Sequence, residues 1–181
     1  MLTKSQLRSK ILCILRQQNK HQRLEKSRLI KEKLFRLKVF KKAKRIMFYL
    51  AYDGEVETQE MIKEAMKQGK IIAVPVCKEK ERKIIPCKIG PDTEFKKGPY
   101  GIKEPCKKIP LPLKELDLVI VPAVAFDKKG RRLGRGKGYY DYFLRSLSKK
   151  TATVGLAFDF QIVPRLPTLS HDMPVERVIF A

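Results

Sequence analysis

The feature that most restricts the fold is an uninterrupted apolar run, Leu118 to Phe126, that delivers the chain to glycines at 134, 136 and 138. A segment apolar at every position has no polar face, so it suits a strand buried on both sides of a parallel sheet. The run is far short of the ~20 residues that span a bilayer. It is the longest of its kind, and the strand it implies extends from Leu116 to Phe126.

Around this strand the pattern alternates. Residues 3–18 read as an amphipathic helix: Thr3 and Gln6 form a capping box, and Leu7, Ile11, Ile14 and Leu15 share one face. A second helix is predicted from about Gln22 to Leu37, with Ile30, Leu34 and Leu37 on its apolar stripe and strongly basic faces elsewhere. Strands follow at 45–50 and 71–76, joined by a helix from Glu57 to Gln68 with Gly69 as its C-cap. Strand, helix and strand in so short a span make a βαβ unit. Further strands are expected at 83–89, 153–158 and 175–180, and a helix from Tyr139 to Leu147. The proline-rich stretch Gly90 to Pro112 reads as an irregular loop or flap. This alternation predicts an α/β fold, a three-layer helix–sheet–helix sandwich with a mostly parallel central sheet. The 181 residues fit one domain, 1–181.

Charge narrows the function. The chain carries a formal +22, and residues 1–45 hold sixteen Lys/Arg against two acids, Glu25 and Glu32, or +14 of that total. Such a field attracts polyanions, whether nucleic acid, nucleotide phosphates or a polycarboxylate. An RNA-binding protein driven by residues 1–45 is therefore the alternative reading, although no RNP-type aromatic motif is present. A sugar-phosphate isomerase-like enzyme, needing no ATP, is a third. Cationic residues interrupt every apolar stretch near the N-terminus, and Cys13, Cys77, Cys87 and Cys106 are scattered without metal-knuckle spacing. Both features predict a cytoplasmic protein with reduced thiols, no disulfides and no membrane association.

The chemistry concentrates in Gly134-Arg-Gly-Lys-Gly-Tyr-Tyr-Asp141. Ligands in open α/β sheets bind just past the carboxyl ends of strands. Glycines at alternate positions let backbone N–H groups approach an anion, and a helix begins directly afterwards. Arg131, Arg132, Arg135 and Lys137 add full charges, so the passage reads as a polyphosphate cradle. It lacks the Gly-Lys-Ser/Thr ending of a P-loop and the glycine spacing of a Rossmann fingerprint. Tyr139 and Tyr140, about 100° apart on a helix, offer one aromatic wall between them. Of the two histidines, His21 reads as solvent-facing and His171 as structural.

These motifs resemble the 5-formyltetrahydrofolate cyclo-ligase (methenyltetrahydrofolate synthetase) family over nearly the whole chain. The resemblance rests on Lys4 and Arg8, on Tyr49 to Thr58, on Gly98-Pro-Tyr-Gly-Ile-Lys-Glu-Pro105, on Pro122 to Leu144, and on His171-Asp172. Tyr142 and Glu176 depart from the residues frequent at those places, Arg and Asp. The resemblance implies a fold like that of ribose-phosphate isomerases and CoA transferases. It also implies an ATP-dependent C–N ligase that uses Mg²⁺ to turn 5-formyltetrahydrofolate, with or without a polyglutamate tail, into 5,10-methenyltetrahydrofolate, releasing ADP and phosphate. Nucleic acid would not be a partner, and the protein is expected to be a monomer.

By the same resemblance ATP would contact Lys4, Arg8, Arg132, Leu133, Gly134, Arg135, Gly136, Lys137, Gly138, Tyr139 and Tyr140. Folate would meet Leu50 and Glu55 and share Arg135, Gly136, Lys137, Gly138 and Tyr139. Asp141 and Asp172 would serve the magnesium ion. The expected reaction phosphorylates the formyl oxygen and closes the ring through N10. Phosphoryl transfer rests on positioning and charge stabilisation, which makes Arg135 and Lys137 the candidate catalytic residues.

Overall fold

The computed structural model describes residues 2–181, and of Tyr100 the backbone alone. Helix α1 (Lys4–Gln17) opens on the expected capping box, with Thr3 and Gln6 bonding reciprocally. Ile11 and Leu15 are buried, whereas Ile14 is exposed, so the apolar stripe is narrower than the sequence spacing suggests. Helix α2 (Lys20–Arg36) starts at Asn19, whose side chain accepts from the backbone N–H groups of His21 and Gln22. It buries Ile30 and Leu34 and stops at Leu37, where the chain turns extended before a short α3 (Lys38–Lys42).

The expected βαβ unit is present: β1 (Arg45–Met47), α4 (Gln59–Lys67) and β2 (Ile71–Lys78), with β1 and β2 parallel. Gly69 closes α4 at φ 75°, a left-handed conformation that costs glycine nothing. Strand β3 (Lys83–Ile89) folds back antiparallel on β2. The stretch expected to be an irregular flap is partly ordered. It holds a two-stranded antiparallel hairpin, β4 (Phe95–Lys97) and β5 (Lys103–Pro105), with a 3₁₀ turn at 99–101 between them.

The long strand expected from Leu116 to Phe126 is two strands in two sheets. Strand β6 (Leu118–Val121) pairs with β1, and β7 (Ala125–Asp127) pairs with β8 (Arg132–Leu133). Pro122 lies between them and, having no N–H, donates to neither ladder. The chain then forms α5 (Tyr139–Arg145), two residues shorter than expected, and β9 (Ala152–Ala157). Strand β10 (Ile162–Val163) adds to β7, and β11 (Arg177–Phe180) ends the large sheet.

The six-stranded sheet runs β11-β9-β6-β1-β2-β3, parallel throughout except β3. Alternate residues serve opposite cores. Ile46, Ile72, Leu118 and Ile120 pack with α1, α2 and α4 on one face, while Met47, Ala73, Val119 and Val121 pack with Phe143 and Leu144 of α5 on the other. That explains why the strands are apolar at every position, and it gives the three layers. Among the described residues no helix is long and apolar enough to cross a membrane.

Candidate active site

The carboxyl ends of β1, β2 and β6 open onto one large cavity of about 1120 Å³. Leu50 and Glu55 follow β1, Pro75 and Cys77 belong to β2, and Pro122 and Ala123 follow β6. Of the residues expected at the site, Arg132 through Asp141 line it without a gap, with Lys4, Arg8, Leu50, Glu55 and Asp172, whereas Arg131, expected among the cradle's cations, lies outside it and pairs with Asp127. Chain segments more than a hundred residues apart in sequence thus meet in one place. The first two turns of α1, carrying Lys4 and Arg8, reach the glycine loop: Arg8 Nε donates to the Gly134 carbonyl at 2.9 Å.

Glycine is required inside this loop for conformation. Gly136 has φ 99° and Gly138 has φ 72°, values that L side chains rarely adopt. At Gly136 the nearest side-chain atoms are those of the Arg8 guanidinium, so the loop and α1 close on each other.

Two carboxylates expected to serve a metal are each held by a cation. Asp141 Oδ1 accepts from Arg132 Nη2 at 2.6 Å and from the Met173 N–H at 3.1 Å. Asp172 pairs with Lys4 and accepts from the Leu169 N–H at 2.7 Å. Its carboxyl lies below the ordinary range: burial opposes ionisation, but the hydrogen bonds and charge of Lys4 and neighbours prevail. Arg132, with its side chain 3% exposed, feels both carboxylates, yet burial dominates and lowers its own pKa. Among the described residues no group of three or more His, Cys, Asp or Glu forms a metal cluster.

The opposite wall centres on Glu55, whose side chain is 12% exposed. Arg135 Nε and Nη2 donate to its Oε1 at 3.2 and 3.1 Å, and Arg135 Nη1 donates to Asp53 at 3.0 Å. Burial pushes the Glu55 carboxyl up, more than the Arg135 charge and hydrogen bonds pull it down. Arg135 also stacks over the Tyr52 ring at 5.2 Å, a cation–π contact. Asp53 is shared: Arg16 grips it by three hydrogen bonds of 2.9–3.1 Å.

This wall depends on a tight turn. Asp53 (φ 53°) and Gly54 (φ 85°) are both left-handed, and the Gly54 carbonyl accepts from Gln18 at 2.9 Å. A Cβ at Gly54 would overlap the Leu15 backbone carbonyl. Gly54→Ala should therefore destabilise the fold by about 2 kcal/mol or more. That corresponds to a melting temperature about 4–8 °C lower; a variant melting with the parent would show that α1 yields freely.

Tyr140 and Tyr139 both line the cavity, and Tyr140 packs edge-on against Phe143 at 6.2 Å. The Tyr140 hydroxyl is buried without a hydrogen-bond partner, as is Arg132 Nε. Burial, and to a lesser degree the Glu55 charge, raise the Tyr140 phenol well above its ordinary range. Buried polar atoms normally have partners, so these two mark where a ligand's polar atoms would be met.

Sequence reasoning missed Tyr52, Asp53, Cys77 and Glu104 as cavity neighbours. Asp53-Gly54 is a turn dipeptide that could have drawn attention to the first pair. Glu104 sits in a quoted motif, and only the fold shows that it bonds to β2. Cys77 is no nucleophile: burial raises its thiol to about 11. His21 is exposed as expected, and His171 lies exposed at the cavity with its carbonyl accepting from Arg145. Tyr142, 64% exposed, stands at the rim of the cavity.

Comparison with known proteins bears on what this cavity is. The family model for the 5-formyltetrahydrofolate cyclo-ligase family matches residues 1–181. The mouse 5-formyltetrahydrofolate cyclo-ligase is 34% identical over 185 residues, covering 96% of this chain and 91% of the relative. That of Haemophilus influenzae is 40% identical over 139 residues, 75% of this chain and 74% of its own. The solution structure of Aquifex aeolicus 5,10-methenyltetrahydrofolate synthetase superposes with a TM-score of 0.86 at 33% identity, covering 99% of this chain and 90% of that one. The match takes in the basic residues 1–45, of which Ile30 and Leu34 are core and Arg23 and Lys26 pair with Glu57 and Asp159, so the RNA-binding alternative gains no support. With the fold, the motifs and whole-chain similarity in agreement, the chain belongs to the 5-formyltetrahydrofolate cyclo-ligase family.

Proposed function

We propose that this chain converts 5-formyltetrahydrofolate to 5,10-methenyltetrahydrofolate in an ATP-dependent ring closure, releasing ADP and phosphate. The observation that carries this reading is that the glycine–cation loop and the buried carboxylate share one cavity, Arg135 of the first touching Glu55 of the second at 3.1 Å. A phosphate-binding element and an acceptor for pterin N–H donors are thereby adjacent, as a reaction between a nucleotide and a folate requires.

In this reading Lys4, Arg8, Arg135 and Lys137 bind the ATP phosphates with the backbone of residues 132–140. Leu50 and Glu55 receive the pterin, with Tyr139 or Tyr140 against its ring. The formyl oxygen takes the γ-phosphoryl group and ADP departs. N10 then attacks the formyl carbon and loses its proton, and the carbon–oxygen bond breaks as phosphate leaves. The cations spread the charge developing on the transferred group, the term that dominates phosphoryl transfer.

Asp141 and Asp172 would hold Mg²⁺. Magnesium usually takes one or two carboxylates together with substrate phosphates and water, so a two-carboxylate set fits it without a larger cluster. When bound, the ion supplies neutralisation of phosphate oxygens. Arg132 and Lys4 hold these carboxylates at the cavity wall. The enzyme is taken to act in the cytoplasm as a monomer.

The test is incubation with 5-formyltetrahydrofolate with and without Mg-ATP. Near-ultraviolet absorbance of the methenyl product should grow only when ATP is present, with ADP formed one for one. Product without ATP would favour an isomerase-like chemistry and overturn this reading.

A further inference from the structure

We propose that Glu104 is a positioning residue that pins the β4–β5 hairpin across the cavity and thereby completes the folate side of the site. The inference rests on the reading above for which substrate lies on that side. Its basis begins with an edge that the sheet leaves open. Strand β1 ends at Met47, opposite Ala73, while β2 continues to Lys78. Beyond Ala73 the positions of β2 that face the missing strand are 75 and 77, by the two-residue alternation of a ladder. Pro75 has no N–H to satisfy. Cys77 has one, and Glu104 Oε1 accepts it at 3.0 Å.

A carboxylate thus stands in for a strand. Glu104 is 4% exposed, and its other oxygen, Oε2, faces Lys108 Nζ at 3.4 Å. Both oxygens are engaged, so Glu104 acts through the hairpin it belongs to. The hairpin is built around that side chain: a Cβ at Gly98 would stand 2.6 Å from Glu104 Cγ, and Gly98 N donates to the Ile102 carbonyl at 2.8 Å. Pro99 and Ile102, from the turn so closed, line the cavity. Gly101 packs against Tyr52, the ring beneath Arg135. One hydrogen bond to β2 therefore fixes a wall that contacts the Arg135–Glu55 pair through Tyr52.

Three substitutions separate the hydrogen bond from the charge. Glu104→Gln keeps an acceptor oxygen for Cys77 N–H; Glu104→Ala removes it; Glu104→Asp withdraws it by one methylene and keeps the charge. We expect Ala and Asp to raise KM for 5-formyltetrahydrofolate about tenfold or more, the loss of one charged-acceptor hydrogen bond, with KM for ATP within twofold and Gln near the parent. Limited trypsin digestion gives a readout independent of turnover: Lys96, Lys97 and Lys103 are exposed on the hairpin and should be cut faster in Ala and Asp, not in Gln. Parental KM and parental cleavage in a folded Ala or Asp variant would overturn the proposal, as would Gln behaving like Ala. Faster cleavage with a raised KM for ATP instead of folate would uphold the anchor and refute the placement of folate on this side.

Discussion

Replacing Arg135 by alanine is expected to lower turnover by roughly a hundredfold or more. Losing one preorganised charge contact to a transition state costs about 2.7–4 kcal/mol, and each 1.36 kcal/mol is a factor of about ten in rate. Arg135 has a second task that sharpens the expectation. It is the cation paired with Glu55, and it shares Asp53 with Arg16. When Arg135 is removed, Asp53 keeps Arg16, but among the described residues Glu55 keeps only the Tyr52 N–H at 3.2 Å. In the proposed reading the loss therefore falls on the folate-binding carboxylate as well as on the phosphates. Arg135→Lys restores a charge without the planar fork, so it should recover only part of the rate. Arg16→Ala is the control: its side chain is 60% exposed, solvent screens its pair with Asp53, and turnover should change little. Steady-state kcat for the four proteins, with Lys137→Ala alongside, decides the matter. Near-parental rates in both Arg135→Ala and Lys137→Ala would remove the loop from the chemistry.

What the sequence disclosed and what it concealed divide along a physical line. Local rules are written in adjacent residues, so the Thr3–Gln6 cap, the Gly69 stop and the left-handed glycines of the loop could be read directly. The parallel sheet followed from strands apolar on both faces, because two helical layers must cover them. The division of Leu116–Phe126 at Pro122 was not legible, because Pro75 and Pro86 sit inside a continuous ladder and an apolar run hides which sheet each half joins. The hairpin at 95–105 escaped because its two strands of three residues are too short to show an alternation, and its bond to β2, from Cys77 N–H to Glu104, spans 27 residues that no local period encodes. The same applies to the site. Residue types and spacing marked the loop, yet the pairing of Arg135 with Glu55 and of Lys4 with Asp172 exists only once segments 80 and 168 residues apart are brought together. Family resemblance supplied those positions; it carried no information on which charge holds which.

Glu55→Gln should weaken 5-formyltetrahydrofolate binding by about ten- to a hundredfold, the range for hydrogen bonds to a charged group. ATP affinity should change less than twofold, because in the proposed reading Glu55 meets folate and not ATP. The same variant should melt higher than the parent at neutral pH, and the reason is linkage. Burial raises the Glu55 carboxyl above its ordinary value of 4.5 despite Arg135. In the folded protein the group therefore binds its proton more tightly than in the unfolded chain. Its contribution to stability is fully present below the unfolded value and is lost as pH rises through the folded one. The ionised form of Glu55 is thus the one that its burial disfavours. A neutral glutamine relieves that cost, so the gain in melting temperature should vanish below about pH 4 and grow as pH rises past the ordinary carboxylate range. Calorimetric binding of both substrates, with melting curves across that interval, tests both halves. Equal losses for folate and ATP would refute the folate role, and a lower melting temperature at neutral pH would show that Arg135 outweighs burial at this carboxylate.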